Sequence, residues 1–248
     1  KLCSPCKRIR RNIPSGSRSR FQDWWLFYRK KIAVLKNLSI YQKATAVAAL
    51  FHVIGAVGML FFPHEFFLTA TPFNLLLMMG LLFWTQKPRN TGFWIFVLCC
   101  FVAGMTVEIV GVQTSALFGH YNYGWIMGIK VLGVPLMLGV NWFMVVYISG
   151  IASWRLLSGT APLIKIIVTA LLAVGYDWVM EPVAIRLGYW QWGGDGSVPV
   201  YNYITWFLVS MLLAAIFHWC KVSKDNKFGV NLLLIQLLFF LVLRIFLT

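Results

Sequence analysis

Seven apolar runs, read at about 44–62, 73–86, 93–113, 131–152, 162–180, 203–220 and 228–247, constrain this 248-residue chain more than anything else in it. About 20 apolar residues in a helix cross the hydrocarbon of a bilayer. Backbone polar groups cannot be left unpaired in lipid, so each run is expected to be a helix. The second run is short, and six or eight spans are the alternatives to seven. The breaks are polar or helix-disrupting: Pro63-His64-Glu65, Gln86 to Asn90, a Gly/Tyr/His stretch at 119–125, Ser158-Gly159-Thr160, a Gly/Trp-rich stretch at 188–199, and Lys221 to Lys227. The expected fold class is therefore all-α, a polytopic transmembrane helix bundle. Only 12% of the residues are charged, against roughly 25% in soluble domains, which excludes a water-soluble fold, a fibrous chain and a disulfide scaffold.

The formal charge of +15 points elsewhere until it is located: residues 1–43 hold 12 of the 22 basic residues and one acid, Asp23. Residues 1–38 read as a basic leader, expected to lie disordered against anionic lipid, and residues 39–248 as the bundle. The leader has no apolar core of a secretory signal, and Cys3-x-x-Cys6 lacks a second Cys/His pair for zinc. Membrane lipid rather than nucleic acid is its expected partner. The chain opens on Lys and its first Met is Met59, which reads as a fragment or a misassigned start. With the N-terminus inside, the inner segments carry Lys87/Arg89, Arg155/Lys165 and Lys221/Lys224/Lys227, and the outer ones only Lys130 and Arg186. That is the positive-inside pattern, giving an N-in, C-out protein of the cell membrane.

Ionisable groups within a membrane are costly and mark candidate sites. Three acids fall in or at the ends of spans: Glu108, Asp177 and Glu181. Glu108 follows Phe93 by 15 residues and Asp177 follows Pro162 by 15, about 22 Å of helical rise in each case, so the carboxylates are expected at one depth in the outer third of the bilayer. Asp177 and Glu181 are spaced i, i+4 on one helix face, and Pro182 is expected to end or kink that helix. Two partly desolvated carboxylates so close cannot both ionise readily, and one is expected to keep its proton. The bland alternative is that the three hold helices together or snorkel to the interface.

The adjoining outer segments are dense in aromatics: Phe118 to Tyr123, Gly188-Tyr189-Trp190-Gln191-Trp192-Gly193, and Pro199 to Tyr203 with Trp206 one turn on. An interface belt accounts for part of this. The inner loops show no such density, and here Gln113, Asn141 and Asn202 accompany the aromatics at the depth of the acids. A proton donor in an aromatic-walled pocket suits a carbocation, because aromatic faces stabilise cations. Other chemistries lack their residues. His52, His64, His120 and His218 form no i, i+3 or i, i+4 pair for a di-iron site. There is no dinucleotide fingerprint, no serine-nucleophile motif, and too few carboxylates for a magnesium–diphosphate site. Neither metal nor cofactor is expected.

Several short motifs in order then carry a resemblance. They are Glu108 with Thr114 and Phe118-Gly119-x-Tyr121-x-Tyr123; Gly133-Val134-Pro135 leading to Asn141-Trp142; Asp177-x-x-x-Glu181-Pro182-x-Ala184; Gly188-Tyr189-Trp190-x-Trp192; and Pro199-x-x-Asn202-Tyr203-x-x-Trp206. Over about residues 40–247 the chain resembles the membrane carotenoid-biosynthesis family that includes the CruF-type carotenoid 1,2-hydratases and the bisanhydrobacterioruberin hydratases. The resemblance implies cofactor-independent hydration of the terminal 1,2 double bond of an acyclic or monocyclic carotenoid, lycopene-like or γ-carotene-like, entering from the lipid. On that reading Asp177 or Glu181 is the acid, Glu108 orients or deprotonates water, and Asn141 and Asn202 position it. Tyr121, Tyr123, Trp190, Trp192 and Trp206 complete the substrate-binding set. The alternatives are an end-group cyclase, which excludes water, and a non-enzymatic carotenoid binder or transporter, although no internal repeat of the transporter kind is found.

Overall fold

The computed structural model describes Trp24, Trp25 and residues 38–247; the expected basic arm, apart from those tryptophans and Leu38, and its Cys3/Cys6 pair lie outside the described residues. Ile40–Thr248 forms one compact unit. Its helices are α1 (Ile40–Phe61), α2 (His64–Thr69), α3 (Thr71–Thr85), α4 (Thr91–Thr114), α5 (Met137–Leu156), α6 (Pro162–Arg186), α7 (Val200–Trp219) and α8 (Lys227–Leu247). Among the described residues seven spans are long and apolar enough to cross a membrane, the second being His64–Thr85, made of α2 and α3 together. The chain is a multi-pass membrane protein with a helical fold.

Three boundaries differ from the sequence reading, each for a local reason. The second span starts at His64 rather than 73. Pro72 cannot donate to the carbonyl four residues back, but the chain stays helical on both sides of it, with Ala70 N–H bonded to Phe66 O at 3.1 Å and Asn74 N–H to Ala70 O at 3.0 Å. Glu65 thereby joins the first turn of a span, so acids within spans are not confined to the expected three.

The fourth span starts at Met137, not 131, because Lys130–Val131 (β2) and Val134–Pro135 (β3) pair as an antiparallel hairpin. Its turn residues Leu132 and Gly133 have φ of 50° and 86°, the two positive values that a tight two-residue turn requires.

The fifth span does not stop at Pro182 but continues to Arg186. Proline leaves the carbonyl of Trp178 without its helical donor. Arg244 of α8 supplies one, its Nη1 lying 3.2 Å from Trp178 O, while its guanidinium sits 4.4 Å over the Trp178 ring.

At the centre stands α5, buried at every position from Leu138 to Ser153 and packed against α3, α4, α6, α7 and α8. It is the least apolar of the seven spans. A helix with no lipid-facing side need not be hydrocarbon all round, which is why Asn141, Ser149 and Ser153 are tolerated there. The ends of α4 and α6 and the starts of α5 and α7 gather at one end of the bundle. There Tyr121–Tyr123 (β1) and Trp190–Trp192 (β4), 67 residues or more apart in sequence, form a second antiparallel ribbon, with Tyr121 opposite Trp192 and Tyr123 opposite Trp190. This ribbon was expected only as loops.

Candidate active site

Side chains alternate across a strand, so Tyr-Asn-Tyr and Trp-Gln-Trp each turn two aromatics one way and one amide the other. Asn122 and Gln191 are exposed. The four aromatics face down the bundle and point their polar tips at carboxylates. Tyr121 and Tyr123 donate their hydroxyls to Glu108 Oε2 at 2.8 and 2.6 Å. Trp190 and Trp192 donate their indole N–H groups to Glu181 Oε1 at 2.7 and 2.5 Å. Glu108 receives a third donor from within the bundle, Trp142 Nε1 of α5 at 2.9 Å from Oε1. Burial, with the Glu108 carboxylate beside them, pushes the Tyr121 and Tyr123 phenols well above their usual range, so both remain donors at any ordinary pH.

The ribbon is held at its ends by Gly124 N–H to Tyr189 O at 2.8 Å and Gly193 N–H to His120 O at 2.7 Å. Gly124 meets backbone and requires glycine, while at Gly193 a side chain would have to displace the exposed His120 ring. A Cβ on Gly124 would lie 2.2 Å from Gly188 O, and one on Gly193 2.4 Å from the His120 ring.

Asp177 is bonded differently. Asn202, at the start of α7, donates to its Oδ2 at 3.1 Å, and no other donor reaches this carboxyl among the described residues. Glu108, Asp177 and Glu181 are all buried and line one small chamber of about 30 Å³. Tyr121, Tyr123, Asn141, Trp190, Trp192, Asn202 and Trp206 line it as well, so all ten side chains singled out from the sequence are brought together.

Phe118, which stood in the aromatic-dense segment, lines it too; so do Leu138 and Met180, which were not singled out, since apolar residues inside apolar runs carry no local signal. Nor was Trp142, which both donates to Glu108 and stacks on Trp206, with ring centroids 3.9 Å apart and planes 14° apart. The pair Asn141-Trp142 stood in the motif, and a large indole beside a buried amide was the clue available. Gln113 does not join them; it is exposed and donates to Leu132 O at 3.0 Å.

Below the chamber lies a larger, mostly apolar cavity of about 420 Å³ between α1, α2, α3, α6 and α8. Leu138, Asn141, Met180 and Trp190 line both spaces, so the two share a wall. Among the described residues no group of three or more His, Cys, Asp or Glu side chains is arranged to hold a metal ion.

A model of the family described as "Carotenoid biosynthesis protein" matches residues 69–248. The chain belongs to this carotenoid biosynthesis family. The match takes in the whole chamber, the ribbon and all three carboxylates. Among curated proteins, the chain is similar to a bisanhydrobacterioruberin hydratase of Haloarcula japonica, 28% identical over 189 residues that cover 69% of this chain and 63% of the relative. The chain thus spans less than two thirds of that relative's length. No solved structure matches.

Proposed function

We propose that this carotenoid-family protein is a hydratase that adds water across the terminal 1,2 double bond of an acyclic or monocyclic carotenoid, and that the ribbon end of the bundle faces outward from a cell membrane. The observation that carries the reading is the shared wall: a carboxylate chamber sized for water beside a cavity sized for hydrocarbon. A water needs only about 10–15 Å³ of such space, so a 30 Å³ chamber takes two or three. The larger cavity, at 420 Å³, accepts an end group and a few polyene carbons, the rest of the chain extending into lipid. Exposed Phe66 and Phe73 on α2 and α3, which also line the cavity, make that side an entry from the hydrocarbon phase.

The roles follow from how many acceptor positions each carboxyl has in use. An ionised carboxylate offers about four. Glu108 uses three, on Tyr121, Tyr123 and Trp142, leaving one with which to orient a water. Asp177 uses one, on Asn202, and has room to carry a proton into the chamber. Asp177 is therefore assigned as the acid: its proton goes to C2 of the terminal double bond, leaving a tertiary cation at C1. Glu181, tethered on one oxygen by two indoles, receives the proton of the attacking water at its other oxygen and, one helical turn away, returns it to Asp177. Trp206, which lines the chamber and is backed by the stacked Trp142 ring, supplies aromatic surface to stabilise the cation. The end-group cyclase alternative begins with the same protonation, but a chamber lined by three carboxyls and two amides favours water over its exclusion.

The test is product analysis in lycopene-producing cells. Asp177→Asn is expected to lower hydroxylated carotenoid by about 10²–10⁴-fold, the range for loss of a general acid, and Glu181→Gln by at least tenfold. Full hydroxylation by both variants removes the proposed acid and base; a cyclised product without added oxygen identifies a cyclase.

A further inference from the structure

The end of the bundle away from the chamber is basic. The segments 86–90, 155–165 and 220–227 hold seven basic side chains and one acid, Asp225. A bias of charge is enough to orient a membrane protein, and solvated side chains supply it. Lys87, Arg89, Arg155, Lys221 and Lys227 are of that kind, all exposed. Lys165 and Lys224 are not: each is half-buried, and both meet the same ring. Lys165 Nζ lies 5.9 Å from the centroid of Trp154 and Lys224 Nζ lies 6.0 Å from it. Lys224 Nζ is also 5.0 Å from the Phe217 centroid, and the His218 ring stands 5.8 Å from Trp154.

Separate elements build this cluster. Trp154 lies in the last turn of α5, Lys165 is the fourth residue of α6, and Lys224 sits between α7 and α8. That connecting segment is held on both sides of Lys224, by Gln86 Nε2 donating to Ser223 O at 3.3 Å and by Asn226 Nδ2 donating to Tyr147 Oη at 2.9 Å. The indole attracts each cation but removes no charge. Among the described residues no carboxylate lies within ion-pair distance of either lysine, and burial pushes the Lys224 ammonium below its usual range. Lys165 adds to the imbalance: the start of a helix is itself positive, and α6 has no acid in its first turn and no side-chain cap.

An anion would balance these charges, and the neighbours select its kind. Leu163 and Ile164 beside Lys165, and Trp219 beside His218, are exposed apolar side chains. A soluble anion leaves them in water, whereas a lipid covers apolar surface with its chains while its phosphate meets the lysines. With the ribbon end outward, as proposed above, this end meets the cytoplasmic leaflet, which carries the anionic lipid. We propose that Lys165 and Lys224 bind the headgroup phosphate of an anionic phospholipid beside Trp154. The site needs neither a polyene nor catalysis, so it stands or falls apart from the hydration reading.

The test is the unfolding temperature of the purified full chain in detergent micelles doped with phosphatidylglycerol or, at the same molar fraction, with phosphatidylcholine. Phosphatidylglycerol is expected to raise it by about 2–4 °C more than phosphatidylcholine, since a ligand that binds only the folded protein stabilises it. Lys165→Gln combined with Lys224→Gln is expected to remove most of that difference. Lys87→Gln combined with Arg89→Gln, which takes two charges from exposed positions at the same end, is expected to keep it. The basic leader is present in every variant and contributes alike. Equal effects of the two lipids on the wild-type protein overturn the proposal, and so does a difference left unchanged by the Lys165/Lys224 substitutions. A difference lost equally in the Lys87/Arg89 variant also overturns it, by making the whole end a diffuse basic surface. Protection by inorganic phosphate alone, equal to that by phosphatidylglycerol, overturns the lipid assignment. If the Lys165/Lys224 variant does not fold, Lys224→Gln alone decides, by narrowing the difference or leaving it intact.

Discussion

The three carboxyls differ most in the company each keeps. Glu108 is met by two phenols and an indole, Glu181 by two indoles, and Asp177 by one amide. Removing one phenol leaves Glu108 short of a donor in a place water replaces only partly. Tyr123→Phe is therefore expected to lower stability by about 1–3 kcal/mol and hydroxylated product by about tenfold, measured by thermal unfolding in detergent and by pigment analysis; unchanged values for both would mean that the cradle holds nothing in place. The phenols also predict an alkaline limit. Burial raises Tyr121 and Tyr123, and burial offset by the Thr71 hydrogen bond takes Tyr189 to about 12, against an ordinary value of 10.0. A group that holds its proton more firmly folded than unfolded stabilises below the unfolded value, and that contribution is lost as pH rises through the folded one. The unfolding temperature is expected to be level up to about pH 9 and to fall above about pH 10, less steeply in Tyr189→Phe. A profile level to pH 12 contradicts this. At this scale the ten positions that line the chamber were legible, the acids and amides because they stand out in hydrocarbon and the aromatics because they crowd the adjoining segments. Who donates to whom was not, because that depends on the register between residues 121–123 and 190–192.

At the scale of elements, the spans were legible and the ribbons were not. A helix that crosses lipid announces itself over 20 residues. A three-residue strand shows one cycle of alternation, and its partner lies in another loop, so Tyr-Asn-Tyr and Trp-Gln-Trp read equally well as interfacial aromatics. Pro182 misled in a similar way. The rule that proline ends a helix holds when the freed carbonyl has no other donor, and Arg244 lies 66 residues downstream of Trp178. The ribbon can be tested at its hinge. Gly124→Val places a side chain where Gly188 O leaves 2.2 Å, which forces the strands apart at an expected cost of about 1–3 kcal/mol, typical of overpacking. Because the seven spans remain intact, far-UV circular dichroism is expected to change little while hydroxylated product falls at least tenfold. Full activity in this variant would show that the carboxylates keep their geometry without the ribbon.

At the scale of the molecule, two hydrogen-bonded networks stand at opposite ends of the bundle. One end carries the chamber. At the other, Tyr147 of α5 donates to Gln86 Oε1 at 2.5 Å and accepts from Asn226 Nδ2 at 2.9 Å, and Asn226 also reaches Thr85 Oγ1 at 3.0 Å. This network ties the end of α3 and the approach to α8 onto the central helix, and Gln86, Thr85, Tyr147 and Asn226 are all buried. The hydrophobic effect gives helices little reason to prefer one another to lipid, so association rests on close packing and interhelical hydrogen bonds. Close packing is visible where Gly104 admits the Trp142 ring and Gly92 lets α4 approach Cys220, with a Cβ at either position falling within 2.6 Å of its neighbour. The hydrogen-bonded latch is the other half of that account. Tyr147→Phe keeps the ring and its contacts but leaves two buried amides each short of a partner. It is expected to lower stability by about 1–3 kcal/mol, while hydroxylation by the protein that remains folded is unchanged, since none of the four latch residues lines the chamber. Unfolding temperature and activity per folded molecule, measured on one preparation, check both halves. A loss of specific activity without a loss of stability would mean that the two ends of the bundle are coupled through α5.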